Sequence, residues 1–316
     1  MKKITIGFLK KILPLLLGFF LIYYSYSNTS IEEKQEIYSS LKYADYRYIA
    51  LSIFLAVLSH LSRSFRWQYL LNPMGYNISF SNSVMAVLVS YLSNLSIPRS
   101  GELLRASTIT LYEKIPFEKG FGTIITERII DVIILLICII IGLLTFPFIE
   151  KPHLSFNKIS IISFIVICLL IYFIFHFFLR NTTLGLKIKN FISGLKNGVL
   201  SVFKMPKKEK FIMHTLFIWT MYFLMFYVVK FSIPETVSLE FGAIFSAFVA
   251  GAIAMSLTNG GIGIYPLAVA GVISQYNIPY ESALAFGWIV WTSQTIMILI
   301  FGSLSFIFLP ILNKIK

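Results

Sequence analysis

The sequence predicts an all-α polytopic membrane protein, with about six full transmembrane helices and two re-entrant helical hairpins set in an inverted-topology repeat. Three observations carry that prediction. The 316 residues are 57% hydrophobic and only 13% charged, far below the roughly 25% charged residues of a soluble domain. The apolar residues fall in long runs, whereas a helix needs about 20 residues to cross a bilayer. The net charge of +13 is concentrated between those runs, as positive-inside topology requires. A soluble enzyme, a disordered chain and a disulfide-rich secreted domain are excluded by composition. A nucleic-acid binder is excluded by the scattered placement of the basic residues.

The crossings follow in order. Residues 1–45 hold a first apolar run, Ile12 to Tyr26, behind Lys2, Lys3, Lys10 and Lys11. Tyr23-Tyr24-Ser25-Tyr26-Ser27 is a poor cleavage site, so the run reads as an uncleaved signal anchor. Glu32, Glu33 and Glu36 then mark an interfacial segment on the outer side. A single membrane domain covers 46–310. Its first half, 46–149, opens with a span from Tyr46 to Leu61, ended by Arg63 and Arg66, and closes with a span from Val132 to Ile149. A linking helix at 159–179 and a basic loop at 180–210 follow. That loop carries eight Lys or Arg against Glu209 alone and suits an anionic membrane surface. The second half, 211–310, has spans from Phe211 to Val229 and from Ala283 to Leu309, before a short basic tail at 311–316. The basic loops put both termini in the cytoplasm of a bacterial-type inner membrane.

Two apolar stretches do not fit as crossings. The stretch at 81–111 leaves and returns to the cytoplasmic side, broken at Pro98-Arg99-Ser100-Gly101. The stretch at 241–273 does the same on the outer side, broken at Thr258-Asn259-Gly260-Gly261-Ile262-Gly263. Proline and glycine around a short polar tip suit a re-entrant hairpin. A broken element in each oppositely oriented half is the pattern of a transporter with a midplane site. Eight plain crossings with two kinked helices is the competing reading.

Chemistry concentrates in the arginines. Five of seven, Arg63, Arg66, Arg99, Arg105 and Arg128, fall in one stretch, while lysine dominates elsewhere. Guanidinium offers a planar fork matched to phosphate and keeps its charge when desolvated. Arg99, Glu102 and Arg105 recur every third residue, with Glu102 set to bridge the two cations. Glu127 and Asp131 share a helix face beside Arg128. The spacing suggests pairing Glu102 with Arg128, or Arg105 with Asp131. These six form the candidate cytoplasmic-side site, together with Asn94, Arg63 and Arg66. Asn259, Gly260, Gly261 and Gly263 form its outer counterpart. Two plainer readings stand beside it: a hairpin-locking salt-bridge network with no ligand, and a glycine cluster that serves a tight bend. The four histidines and Cys138 and Cys168 show no metal or catalytic spacing, and no cofactor is indicated.

Asn94-x3-Pro98-Arg99-x-Gly101-Glu102-x2-Arg105, then Glu127-Arg128-x2-Asp131, then Gly260-Gly261-Ile262-Gly263 resembles the transmembrane region of lysylphosphatidylglycerol synthases and their stand-alone, flippase-like relatives. Arg63-x2-Arg66-Trp67 fits the same family, and the match covers about 45–310. The resemblance implies binding and translocation of a polar, phosphate-bearing lipid headgroup between leaflets without ATP. It implies a phospholipid partner and no aminoacyl transfer, since the soluble domain for that chemistry has no counterpart in the chain. Tyr265-Pro266 stands where many relatives have an acidic residue, which argues against a lysyl headgroup. A membrane-embedded enzyme on a lipid-linked substrate and a non-transporting membrane partner are the alternatives.

Overall fold

The computed structural model describes residues 31–97, 100–145, 205–258 and 260–313. The expected spans at 12–26 and 159–179, most of the basic loop, Pro98, Arg99, Asn259 and the last three residues lie outside them. Among the described residues there are helices and no strand. In order they are α1 (Ile31–Lys42), α2 (Tyr46–Leu71), α3 (Phe80–Ser96), α4 (Ser100–Glu113), α5 (Phe117–Thr145), α6 (Lys208–Tyr227), α7 (Phe241–Leu257), α8 (Ile264–Ile273) and α9 (Tyr280–Leu312). The stretches containing α2, α6 and α9 are long and apolar enough to cross a membrane. With 29 residues α5 is as long, but it carries Glu127, Arg128 and Asp131 within its length.

Short helices fold back on themselves at both broken stretches. The arms α3 and α4 have 17 and 14 residues, and α7 and α8 have 17 and 10. At 1.5 Å per residue none reaches about 30 Å, the hydrocarbon thickness. Ile97, ahead of Pro98, is extended at φ −130° and ψ 120°, because the proline ring disfavours helix in the residue before it. Asn94 Oδ1 then accepts from the Gly101 amide at 2.8 Å, satisfying an orphan donor of α4. At the open end, Glu113 Oε1 accepts from the Ser79 amide at 3.0 Å and from Asn82 Nδ2 at 2.7 Å. Both ends of α3 thus meet both ends of α4, and a single kinked crossing is ruled out. In the second hairpin the turn uses Gly260, Gly261 and Gly263, all at positive φ, where a side chain would be strained. The Tyr265 ring, in the first turn of α8, packs on Gly251 of α7.

The halves pack in matching order: α4 lies on α5 as α8 lies on α9, and each first arm crosses to the other half, α3 against α9 and α7 against α5. The most extensive contact joins α2 to α6, where Ser52 Oγ donates to the Met225 carbonyl at 2.7 Å. Glycines allow the crossings to be close: Gly302 of α9 faces Leu92 and the Leu88 carbonyl, and Gly142 of α5 faces Phe245. Lys114-Ile115-Pro116-Phe117-Glu118 before α5 also matches Asn277-Ile278-Pro279-Tyr280-Glu281 before α9. Lys114 and Asn277 are both left-handed, at φ 57° and 60°, and Ile115 and Ile278 are both buried. Hydropathy alone does not reveal this short internal repeat.

One prediction about α2 needs correcting. The apolar run ends at Leu61, but the helix continues to Leu71. Arg63 and Arg66 are therefore not in a solvated loop: they lie inside the bundle, 2% and 0% exposed. The helix tolerates them because each meets a carboxylate of α5.

Candidate functional site

Helix periodicity builds the site. Arg63 and Arg66 lie about one turn apart on α2, and Glu127 and Asp131 about one turn apart on α5, so each pair shares a face. Where the faces meet, Arg63 Nη1 donates to Asp131 Oδ2 at 2.8 Å and Arg66 Nη1 to Asp131 Oδ1 at 3.0 Å. Arg66 Nε reaches Glu127 Oε1 at 3.4 Å. Arg105 of α4 completes Glu127, its Nη1 donating to Oε2 at 2.6 Å. Four charge-assisted contacts therefore tie α2, α4 and α5 together in surroundings where an unpaired charge is very costly.

The pairing differs in part from that suggested by spacing. Glu102 does pair with Arg128, at 3.0 Å. Arg105 meets Glu127 instead of Asp131, and Glu102 does not bridge to Arg105. Asn94 is spent on the hairpin, its Oδ1 held by the Gly101 amide. Arg99 and Asn259 lie outside the described residues. Gly260 and Gly261 are packed: a β-carbon on Gly260 would meet Leu95 Cδ2 at 2.9 Å, and one on Gly261 would meet Tyr265 Cβ at 3.0 Å and Met255 Sδ at 3.2 Å. Gly263 caps the start of α8. The Gly260–Leu95 contact brings the two hairpin tips together, as the inverted arrangement leads one to expect.

Neutral side chains complete the cluster, and several carry no signal in the sequence. Arg63 Nη2 donates to the Tyr222 hydroxyl at 3.2 Å, and Tyr222 shares a hydrogen bond of 3.3 Å with Tyr91. The His60 ring lies 4.7 Å from that of Tyr91. Arg66 Nη1 also reaches Thr215 Oγ1 at 3.1 Å. Trp67 lies beneath the Arg105 guanidinium and gives its indole N–H to Thr123 Oγ1 at 2.8 Å. Only Trp67 is legible beforehand, from Arg66-Trp67. Tyr91, Thr215 and Tyr222 sit among ordinary aromatic and hydroxyl residues of apolar helices.

The charges do not balance. Arg63, Arg66, Arg105 and Arg128 face Glu102, Glu127 and Asp131, one cation in excess among the described residues. Arg63 Nε, Arg66 Nη2, Arg105 Nε and Nη2 and Glu102 Oε2 are buried with no hydrogen-bond partner among the described residues. Buried polar atoms are normally satisfied. Exposure is uneven too: the side chains of Arg128 and Glu102 are 36% and 18% exposed, against 3% and 1% for Arg105 and Glu127. No group of three His, Cys, Asp or Glu residues among the described residues could hold a metal ion.

The second half carries none of this charge. Val290, Trp291 and Gln294 stand as far past Pro279 as Glu127, Arg128 and Asp131 stand past Pro116. Leu224 and Tyr227 stand as far before Pro234 as Arg63 and Arg66 stand before Pro73. Trp291 Nε1 donates to the Gly260 carbonyl at 2.8 Å, and Gln294 Nε2 reaches Ser52 Oγ at 3.3 Å. The repeat is thus symmetric in helices and asymmetric in charge.

Comparison with known proteins agrees with a membrane assignment. A UPF0104 membrane protein of Methanocaldococcus jannaschii is 32% identical over 92 residues, covering 28% of this chain and 27% of that protein. The glycosyltransferase AglD of Haloferax volcanii is 28% identical over 102 residues, 32% of this chain and 16% of that one. The chain therefore matches about a quarter and a sixth of these relatives' lengths. No solved structure gives a significant match. The family model of the lysylphosphatidylglycerol synthase TM region matches residues 11–302, and the chain belongs to that family.

Proposed function

We propose that this protein binds a polar, phosphate-bearing lipid headgroup and moves it between leaflets without ATP. One observation carries the reading: a network of four guanidiniums, three of them buried, and three carboxylates in membrane helices. One surplus cation in a low-dielectric bundle attracts an anion, and arginine forks suit phosphate. The meeting of the hairpin tips at Leu95 and Gly260 supports a closed state. Parting of the tips would open a path for the headgroup while the acyl chains stay in lipid. The driving force is then a gradient or mass action. The chain sits in a plasma-type membrane with both termini cytoplasmic, and its basic 180–210 loop rests on anionic lipid.

The test is a leaflet-exposure assay in proteoliposomes with headgroup-labelled phosphatidylglycerol, phosphatidylcholine and a polyprenyl phosphate. Protein-dependent exchange of at least one phosphate lipid, lost in Asp131→Asn, is the expected result. Equal exchange with and without protein for every lipid overturns the reading. The name of the AglD relative favours a second reading, in which the membrane unit serves an enzyme acting on a lipid-linked substrate. Substrate turnover by the chain without any exchange between leaflets would select it.

A further inference from the structure

The Glu102–Arg128 pair differs from the rest of the network in three ways. It is the most exposed member: Arg128 and Glu102 are 36% and 18% exposed, while Asp131 is 12% exposed and Arg63, Arg66, Arg105 and Glu127 are at 3% or below. Its acid is also the one network carboxylate among the described residues with an oxygen left over: Glu102 Oε1 meets Arg128 Nη2 at 3.0 Å while Oε2 is buried without a partner, whereas Glu127 and Asp131 engage both oxygens. Finally, its charge is not needed to hold a hairpin to a crossing helix. In the second half Trp291, at the position matching Arg128, ties α9 to its hairpin through the Gly260 carbonyl, a neutral hydrogen bond.

We propose that Glu102 is a tethered competitor for the ligand: its carboxylate occupies Arg128 until a phosphate group displaces it. This rests on the headgroup-binding reading above and names the residue that sets selectivity within it. A carboxylate presents Arg128 with one oxygen here, whereas a phosphate can present two in the bidentate geometry a guanidinium prefers. Glu102 lies in the first turn of α4, at the hairpin-tip end of that helix. The swap also removes a strut between α4 and α5. Binding is thereby linked to freedom of the first hairpin, while Arg105–Glu127 beneath stays paired. A weak or zwitterionic headgroup fails to pull Arg128 from Glu102, so the acid filters ligands by anionic strength.

The experiment measures binding of phosphatidylglycerol and phosphatidylcholine to the full chain in detergent, by native mass spectrometry, for wild type, Glu102→Gln and Arg128→Gln. Glycerol phosphate is titrated in parallel, to distinguish a lipid headgroup from a soluble phosphate source. Glu102→Gln is expected to bind phosphatidylglycerol about fivefold more tightly than wild type, the loss of one partly exposed competing ion pair, and Arg128→Gln to lose the preference for it. Equal or weaker phosphatidylglycerol binding by Glu102→Gln, with wild-type binding intact, overturns the competitor role. Binding of both lipids by wild type without preference also overturns it, whereas failure of wild type to bind either lipid instead overturns the headgroup reading itself. If Glu102→Gln does not fold, Glu102→Asp carries the same test: its carboxylate stands one methylene farther from Arg128, and affinity no higher than wild type overturns the proposal.

Discussion

The indole of Trp67 lies beneath the guanidinium of Arg105, the Arg105 Cζ 3.8 Å from the ring centroid. This stacking covers one face of a buried cation whose Nε and Nη2 have no hydrogen-bond partner among the described residues, an environment where a cation–π contact is at its strongest. Trp67→Ala is expected to cost about 3 kcal/mol. Trp67→Phe keeps one aromatic ring under Arg105 but loses the rest of the buried indole and the bond to Thr123, costing about 2 kcal/mol. Thermal unfolding in detergent should rank the melting temperatures wild type, Phe, then Ala.

Asp131 neutralises two arginines, so Asp131→Gln should destabilise by about 3 kcal/mol or more, leaving Arg63 and Arg66 short of a partner. Adding Arg63→Leu imports the second half's combination of Leu224 and Gln294. The double variant should melt above Asp131→Gln alone. A lower melting temperature would show that the two halves do not share one packing solution.

Gly101 sits where the hairpin arms pack closely, against Ser90 and Asn94. A β-carbon there would run into the Ser90 carbonyl and meet Asn94 Nδ2 at 2.7 Å. Because the Ser90 oxygen is backbone, Gly101→Ala must spread the arms, at a cost of about 2 kcal/mol. The expected readout is new protease cleavage near 97–100, with α6–α9 still protected.

Lys114 and Asn277 hold the same left-handed turn in the two halves. Asparagine adopts that conformation at less cost than lysine. Lys114→Gly should therefore stabilise by about 1 kcal/mol, and Asn277→Gly by less. Chemical denaturation of the two variants side by side measures the difference.

The seam between the tips can be trapped. Leu95→Cys with Gly260→Cys, in a chain lacking Cys138 and Cys168, is expected to crosslink under mild oxidation, seen as a shift in gel mobility. Lipid exchange should fall on crosslinking and return on reduction. Unchanged exchange in the crosslinked protein would remove the seam from the transport path.

Much of this arrangement is legible in residues. The glycine cluster at 260–263 and the Pro98–Gly101 break mark both turns, because only such residues permit them in apolar helices. The Glu102–Arg128 pair is also within reach of spacing. The end of α2 is not: hydropathy falls at Arg63, and nothing local says that Asp131, far along the chain, will pay the cost of burying it. The partner of Arg105 is hidden for a related reason, since the choice between Glu127 and Asp131 depends on how α4 rotates against α5. The repeat rests on Ile115-Pro116 and Ile278-Pro279 with their flanking residues, too few identities to stand out before the turns are superposed by their left-handed backbones.

Every member of the charge network, from Arg63 to Asp131, belongs to the first half of the chain. During synthesis α2, α4 and α5 can therefore neutralise one another before α6 leaves the ribosome. The later half then brings no counter-ion to the network, only packing and hydrogen bonds such as those of Arg63 to Tyr222 and Arg66 to Thr215. An insertion machinery handling this protein meets its costly charges early and as a compensated set. Truncation after α5 should leave a fragment whose arginines are already paired.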